Sequence, residues 1–425
     1  MCAAEMFLSQ GTCAYQMKQQ ARCLIALEGD TDRNRFVLGS LELKGDNELH
    51  VLEFNEDTNE VSCQKAFAHA NEIWSCASCP APEHSELVFT TFSTGAELHT
   101  KLWRMEGVAD AAPAEPSGHQ AALAPAPLQE LLQLGGGVRL GEHLGVIWNA
   151  VLPEQIVELT RTRLSLATLT HGAVASTAAE SASAPSPMEG SSFSCGRWDP
   201  HHAHSLGVGC GGAVVSIDTR TMKPAHSVVD AHSQRVRSLD YNPNKPYVLL
   251  SCGDDYAIRY WDLRKPANAL LSVKAHSHWT TSACFNRFHD QLVLSSGTDY
   301  MVKLWRAASI SSAPPAVDMD EPELTDADAD GLVKTFEDHE QSVFSAVWSA
   351  ADVRAHGPPN LAPTAKPDPT MTHQTWPQPP NLTQPWPTKP GPNRASANQA
   401  IPTQRARLRL TLLAGMRAGP PAAPQ

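Results

Sequence analysis

In the stretch 231–265, apolar and polar positions alternate in short bursts broken by turn residues. Val236–Tyr241 alternates strictly enough to predict a strand with one buried face. Asn242-Pro243-Asn244-Lys245-Pro246 predicts a turn, because proline fixes φ and asparagine tolerates left-handed geometry. Tyr247–Cys252 is nearly all apolar and predicts a strand covered on both faces. Gly253-Asp254-Asp255 predicts a tight turn into a third strand, Ala257–Trp261. These runs are too short and too rich in β-formers for helix. The same order recurs at 275–307, where His276, Asp299 and Trp305 each stand 44 positions after His232, Asp255 and Trp261.

A period of 40–45 residues, with His near the start and Trp-Asp near the end, is the signature of a WD-repeat blade. Weaker copies flank the clear pair. FVLGSLELKGDNELHVLEF (36–54) predicts a first blade with a hairpin turn at Gly45-Asp46-Asn47. AHANEIWSCASCP (68–80) predicts a second, ending at Trp103. HLGVIWNAVLPEQIVELTRTRLSLATLT (143–170) and SFSCGRWDPHHAHSLGVGCGGAVVSIDTRTM (192–222) predict two more, the latter with Ile217 where Trp is expected. DHEQSVFSAVWSAAD (338–352) opens another blade with no continuation. Seven starts give an all-β, seven-bladed WD-repeat β-propeller with an incomplete last blade.

The recurring polar residues have a physical task. A buried Trp needs an acceptor for its indole N–H, and a buried Asp needs donors. In families with this repeat pattern the His between blades, a Ser or Thr on the second strand, the turn Asp and the third-strand Trp form a hydrogen-bonded chain. The residues here similar to that set are His232, Ser251, Asp255 and Trp261, and His276, Ser295, Asp299 and Trp305. Burying about 200 Å² of a Trp contributes at most roughly 5 kcal/mol. A His–Asp–Ser catalytic reading is disfavoured because the set is duplicated at one period. Trp261-Asp262-Leu263-Arg264 fits the WDxR box of cullin-RING ligase receptors (Trp261, Asp262 and Arg264), with a near copy at Ile217–Arg220, although Trp-Asp is also how a third strand ends. Cys76 and Cys79 form a CxxC on an alternating strand, and no second CxxC completes a zinc site. His201-His202-Ala203-His204 falls in a predicted surface loop. No nucleophile elbow or phosphate-cradling Gly loop is present, so no enzyme activity, metal or cofactor is expected.

Charge and composition divide the chain. The net charge is −12, which counts against nucleic acid as a partner. Residues 1–353 carry 25 basic against 44 acidic residues, whereas 354–425 carry eight against one. Ten cysteines and no signal peptide point to reduced thiols in the cytoplasm. No apolar run reaches the roughly 18 residues that a membrane span needs. Three inserts interrupt the ring: Ala/Pro-rich 106–130, Ala/Ser-rich 171–191 and acidic 317–330. Sixteen of the 33 prolines lie in 354–425, so this basic tail reads as disordered. We read it as a retained intron or misassigned exon, with RLRLTLLAG (407–415) as an alternative closing strand. An open final blade would leave an exposed edge.

The stretches CGRWDPHH (195–202), NPNKPYVLLSCGDD (242–255), HSHWTTSACFNRFHDQLVLSSGTD (276–299) and EDHEQSVFSAVWSAAD (337–352) resemble the EARP- and GARP-complex-interacting WD-repeat proteins. NEIWSCASCP (71–80) and the acidic insert fit the same family, and the likeness covers 14–353. The resemblance implies a propeller over those residues that acts as a non-enzymatic scaffold. It implies binding to subunits of multisubunit vesicle-tethering complexes in endosomal recycling and endosome-to-Golgi retrograde transport. In animals it further implies dense-core vesicle cargo sorting. The expected state is a monomeric propeller within a larger assembly, held at endosomes and the trans-Golgi network through partners, without inserting into the membrane.

Overall fold

The computed structural model describes residues 15, 17, 19–43, 45–56, 58–95, 97–108, 124–139, 143–171, 176–187, 190–312 and 330–351. By its contacts the chain divides into two units, 1–355 with 406–425, and 356–405. The second unit, the Pro-rich tail after Arg354, the strand expected at 407–415 and most of the acidic insert lie outside the described residues.

The described part of the first unit is all β apart from a single 3-10 turn at Pro82–His84. Blade one runs through β1 (Ala21–Ala26), β2 (Asn34–Ser40), β3 (Asn47–Asn55) and β4 (Glu60–His69). Blade two starts with β5 (Ile73–Ser78), β6 (Leu87–Thr94) and β7 (Glu97–Arg104). A short β8 (Ala126–Pro127) adds to blade one beside β4, and β9 (Gln129–Arg139) completes blade two. Blade three is β10 (His143–Trp148), β11 (Gln155–Thr160), β12 (Arg163–His171) and β13 (Ser176–Pro185). Blade four is β14 (Phe193–Trp198), β15 (Ser205–Cys210), β16 (Ala213–Asp218) and β17 (Lys223–Val228). Blade five is β18 (Val236–Tyr241), β19 (Val248–Gly253), β20 (Ala257–Asp262) and β21 (Leu271–Lys274). Blade six is β22 (Thr280–Phe285), β23 (Leu292–Gly297), β24 (Val302–Ala307) and β25 (Asp330–Phe336). Within the stretch read as an Ala/Ser insert, β13 pairs antiparallel with β12 as an outer strand.

Turn chemistry sets the hairpins. At the β2–β3 turn the Asn47 side-chain oxygen accepts from the Glu42 N–H and the Ser40 hydroxyl, both at 2.8 Å. The second strand of a blade is packed on both faces, and every residue of β2, β19 and β23 is buried. Side chains alternate between the two neighbouring cores. Leu249 therefore packs with the blade-four residues Val214 and Val228, while Leu250 packs with the blade-six residues Ala283 and Val293.

Six four- or five-stranded sheets form among the described residues, not the seven blades expected from sequence. The segment that opens the seventh repeat is present, but it stands alone. Over 337–351 it makes only an isolated bridge at Trp348. Ala346 and Trp348 pack on the blade-six core with Leu294, Leu304 and Phe336. Ala350 and Val347 pack on the blade-one core with Phe36 and Leu52. A backbone bond from Val343 N to Gly297 O (3.2 Å) and the Trp348 indole N–H to Cys284 O (3.2 Å) tie the segment to blade six. Ser345 Oγ to Leu24 O (3.0 Å) ties it to blade one. A blade needs further strands to cover such a segment. Among the described residues no further strand follows it. The segment is thus a wedge between two blades.

The inner strands β1, β5, β10, β14, β18 and β22 surround a central channel. Each has a register shift between its first and third residues, a bulge at the second. Bulges re-aim side chains. The bulged residues are Arg22, Trp74, Leu144, Ser194, Arg237 and Thr281, and the first five line one mouth of the channel. We call this the entry face, because the inner strands begin there, and the opposite one the exit face.

Candidate functional site: polar chains and the two channel mouths

In blade five the Trp261 indole N–H donates to Ser251 Oγ at 2.9 Å. Ser251 Oγ lies 2.7 Å from His232 Nε2, and His232 Nδ1 lies 2.7 Å from Asp255 Oδ1. Blade six repeats the chain. Trp305 donates to Ser295 at 2.8 Å, Ser295 meets His276 Nε2 at 2.8 Å, and His276 Nδ1 meets Asp299 Oδ1 at 2.9 Å. A proton on Nδ1 of each His satisfies all the groups in one direction, from the indole in the core to the carboxylate near the entry face. Burial opposes the charge on Asp255, but hydrogen bonds from His232 and Arg259 hold its carboxyl well below the usual range. Burial likewise opposes the charge on Asp299, and the Ser277 N–H and His276 outweigh it. Burial pushes the His276 imidazole below its ordinary value. Glycine is required beside both chains. A Cβ at Gly253 would come within 2.8 Å of Arg235 O and 3.1 Å of His232 Nδ1. At Gly297 it would lie 2.6 Å from Asp299 Oδ1 and His276 Nδ1.

A third chain, not singled out in the sequence, occurs in blade two. Trp103 donates to Thr90 Oγ1 (2.8 Å), which meets His69 Nε2 (3.1 Å). It has no carboxylate, and His69 Nδ1 turns instead to the Asn71 carbonyl at 2.7 Å. In blade four Ile217 faces Leu206, the place held by Trp261 opposite Leu249 in blade five.

Arg264 folds back onto Asp262, with Nε and an Nη each at 2.9 Å from the carboxylate. That bond holds the Asp262 carboxyl below its usual range. Arg220 chelates Asp218 in the same way, at 3.1 and 2.8 Å. Both arginines are exposed, and each side chain follows the third strand of its blade toward the exit face. Cys76 Sγ lies 3.1 Å from Cys23 Sγ on the neighbouring inner strand, and Cys79 is buried in the core between blades two and three. His201 Nε2 meets the Asn242 carbonyl (2.9 Å), and His202 Nδ1 meets Asp199 (2.9 Å). Among the described residues no three His, Cys, Asp or Glu side chains are grouped to hold a metal ion. Nor is any helix there long and apolar enough to cross a membrane.

The channel mouths differ. At the exit face, around a cavity of about 290 Å³, each lining guanidinium has a carboxylate. Arg197 pairs with Asp240 at 3.1 Å, and Arg287 pairs with Glu28. At the entry face the cavity is about 420 Å³ and is lined by Arg22, Trp74, Arg237 and Phe344. Arg22 Cζ stands 4.7 Å from the Trp74 ring and 5.0 Å from the Phe344 ring. Arg237 grips Asp254 at 2.5 and 3.1 Å and covers the Trp279 ring at 5.2 Å. Trp279, Tyr300 and Phe344 are 41 %, 51 % and 49 % exposed on this face.

A profile of the EIPR1 beta-propeller family matches residues 9–305. The chain is similar to the EARP-interacting protein homolog of Gekko japonicus, 31 % identical over 361 residues that cover 80 % of this chain and 91 % of that protein. EARP and GARP complex-interacting protein 1 of Homo sapiens is 30 % identical over 357 residues, with the same coverage. The WD repeat-containing protein DWA2 of Arabidopsis thaliana is 30 % identical over 257 residues, 59 % of this chain and 66 % of that protein.

Proposed function

The chain belongs to the EIPR1 β-propeller family, and from that premise we propose that it is a non-enzymatic adaptor for vesicle-tethering complexes of the EARP and GARP type. The observation that carries this reading is the match over nine-tenths of relatives named for interacting with those complexes. The adaptor works in endosomal recycling and endosome-to-Golgi retrograde transport, and reaches its membranes through the tether. The entry face is the docking surface. It presents Trp279, Tyr300 and Phe344 beside Arg22 and Arg237, and exposed Trp, Tyr and Arg are the residues most often found at interface hot spots. The polar chains of blades two, five and six are internal braces, each joining the third-strand Trp of its blade to a His that stands just ahead of the first strand.

Affinity capture of the full chain from cells tests the reading. Tether subunits co-purify with the parent chain, and Trp279→Ala with Phe344→Ala reduces their yield without unfolding the ring. Tether subunits absent from the parent's capture would sink the adaptor role. Undiminished capture by the double variant would move the docking surface elsewhere.

A further inference from the structure

The entry mouth gathers cations and unpartnered donors in a body that is otherwise acidic. Arg22 and Arg237 line it, and Arg235 and Arg161 stand beside it. Among the described residues Arg237 alone of these four has a carboxylate ion pair, with Asp254. Among the described residues the Nε of Arg161, the Nε of Arg235 and the indole N–H of Trp74 are buried without a protein acceptor. Burial first, and then the charges of Arg237 and Arg161, work against the ionised form of Arg235. Buried donors left without protein partners are costly, and an anion seated at the mouth would supply acceptors for them. The exit mouth is the internal comparison, since Asp240 and Glu28 neutralise its lining arginines.

We propose that the entry mouth is an anion-binding site that takes a small ligand bearing several phosphate groups, held by Arg22 and Arg237 and flanked by Arg161 and Arg235. Planar guanidinium forks bind phosphate oxygens in pairs. Four guanidiniums against one carboxylate leave a surplus suited to a multiply charged ligand. The cavity of about 420 Å³ admits a compact polyphosphate. Arg22, open to solvent and in contact with the Trp74 and Phe344 rings, is preorganised to meet it. The proposal goes beyond the adaptor reading and does not depend on it.

Calorimetric titration of the full chain with inorganic tripolyphosphate is the test, against sodium sulfate at matched ionic strength. Saturable binding at one site per chain is expected, with a raised thermal midpoint. Arg22→Gln and Arg235→Gln should each weaken it about tenfold or more, while Arg220→Gln on the exit side leaves it unchanged. Should a Gln variant fail to fold, Arg22→Lys keeps the charge, loses the fork and still weakens binding. Co-sedimentation with phosphatidylcholine vesicles containing phosphatidylinositol bisphosphate, abolished by Arg22→Gln, would identify the source as a lipid headgroup. Tripolyphosphate binding without vesicle binding would identify a soluble phosphate. No saturable binding by the parent, or binding untouched by both Gln variants, overturns the proposal. So does a parent that binds no phosphate while Arg22→Gln loses tether capture, because the mouth would then read an acidic segment of the partner.

Discussion

Trp348→Ala should separate blade six from blade one. The Trp348 side chain is 7 % exposed, packs with Leu294, Leu304 and Phe336, and donates its indole N–H to Cys284 O at 3.2 Å. Truncating a buried Trp to Ala costs about 3–5 kcal/mol, of which the hydrogen bond supplies about 1. Among the described residues the wedge has no hydrogen-bonded sheet of its own to close over the space, so the cost falls at the upper end. Urea unfolding followed by far-UV circular dichroism measures the total. Amide exchange locates it. β22 and β1 should exchange roughly three orders of magnitude faster, because each 1.4 kcal/mol is about tenfold, while β14–β17 keep their protection. Trp348→Phe keeps most of the packing and should lose only about 1–1.5 kcal/mol. A loss below about 1 kcal/mol for the Ala variant, or exchange accelerated equally in all six blades, would refute the wedge as the element joining the two ends of the ring.

Ser251→Ala and Ser295→Ala each leave a Trp N–H and a His Nε2 without a partner, and each should cost about 2–4 kcal/mol in urea unfolding; a loss under about 1 kcal/mol would mean that the chains do not brace the blades. Acidification should weaken the fold in two stages. His276 is held below its ordinary value near 6.5, so its contribution is complete above that pH and is lost as pH falls below it. Asp255 and Asp299 are held below the usual carboxylate range, so theirs is complete above about pH 4 and is lost on further acidification; a denaturation midpoint constant between about pH 7 and pH 5 would contradict the first stage. Arg264→Ala removes an exposed, solvent-screened chelate and should leave the urea midpoint unchanged with tether capture intact. Capture of a cullin-RING adaptor by the parent, lost in Arg264→Ala, would instead favour the WDxR reading.

Much of the ring was legible because each blade repeats its own polar chemistry. The spacing of His232, Asp255 and Trp261 locates three strands, and β18 spans the alternating Val236–Tyr241. The blade-two chain escaped notice for a geometric reason. Its hairpin is longer, so Thr90 and Trp103 are 13 residues apart, where Ser251 and Trp261 are 10 apart, and no Asp marks the turn. Alternation predicts a seventh blade that does not form among the described residues, because alternation reports burial and not sheet membership. Ala346 and Trp348 face one core while Val347 and Ala350 face another, a pattern that a wedge and an inner strand share. Ser176–Pro185 pairs as a strand although Ala and Ser have weak β preference, because the partner strand β12 supplies a backbone ladder that composition does not reveal.

A net charge of −12 concealed the entry mouth, and the reason is structural. Charge counted along a chain averages both faces, whereas a bulge at one register position selects which residues meet at the channel. The second residue of each inner strand is that position, and Arg occupies it in blades one and five. Blade six carries Thr281 there, whose hydroxyl donates to Val343 O at 2.6 Å and seats the wedge. The wedge then places Phe344 against Arg22. The lone segment that fails to become a blade therefore does two things at once. It joins the ends of the ring, and it supplies one wall of the cationic mouth. Displacing it should uncouple blade six from blade one and remove half of the aromatic clamp on Arg22, so ring stability and anion binding should decline together in wedge variants and independently of each other in variants of Arg235.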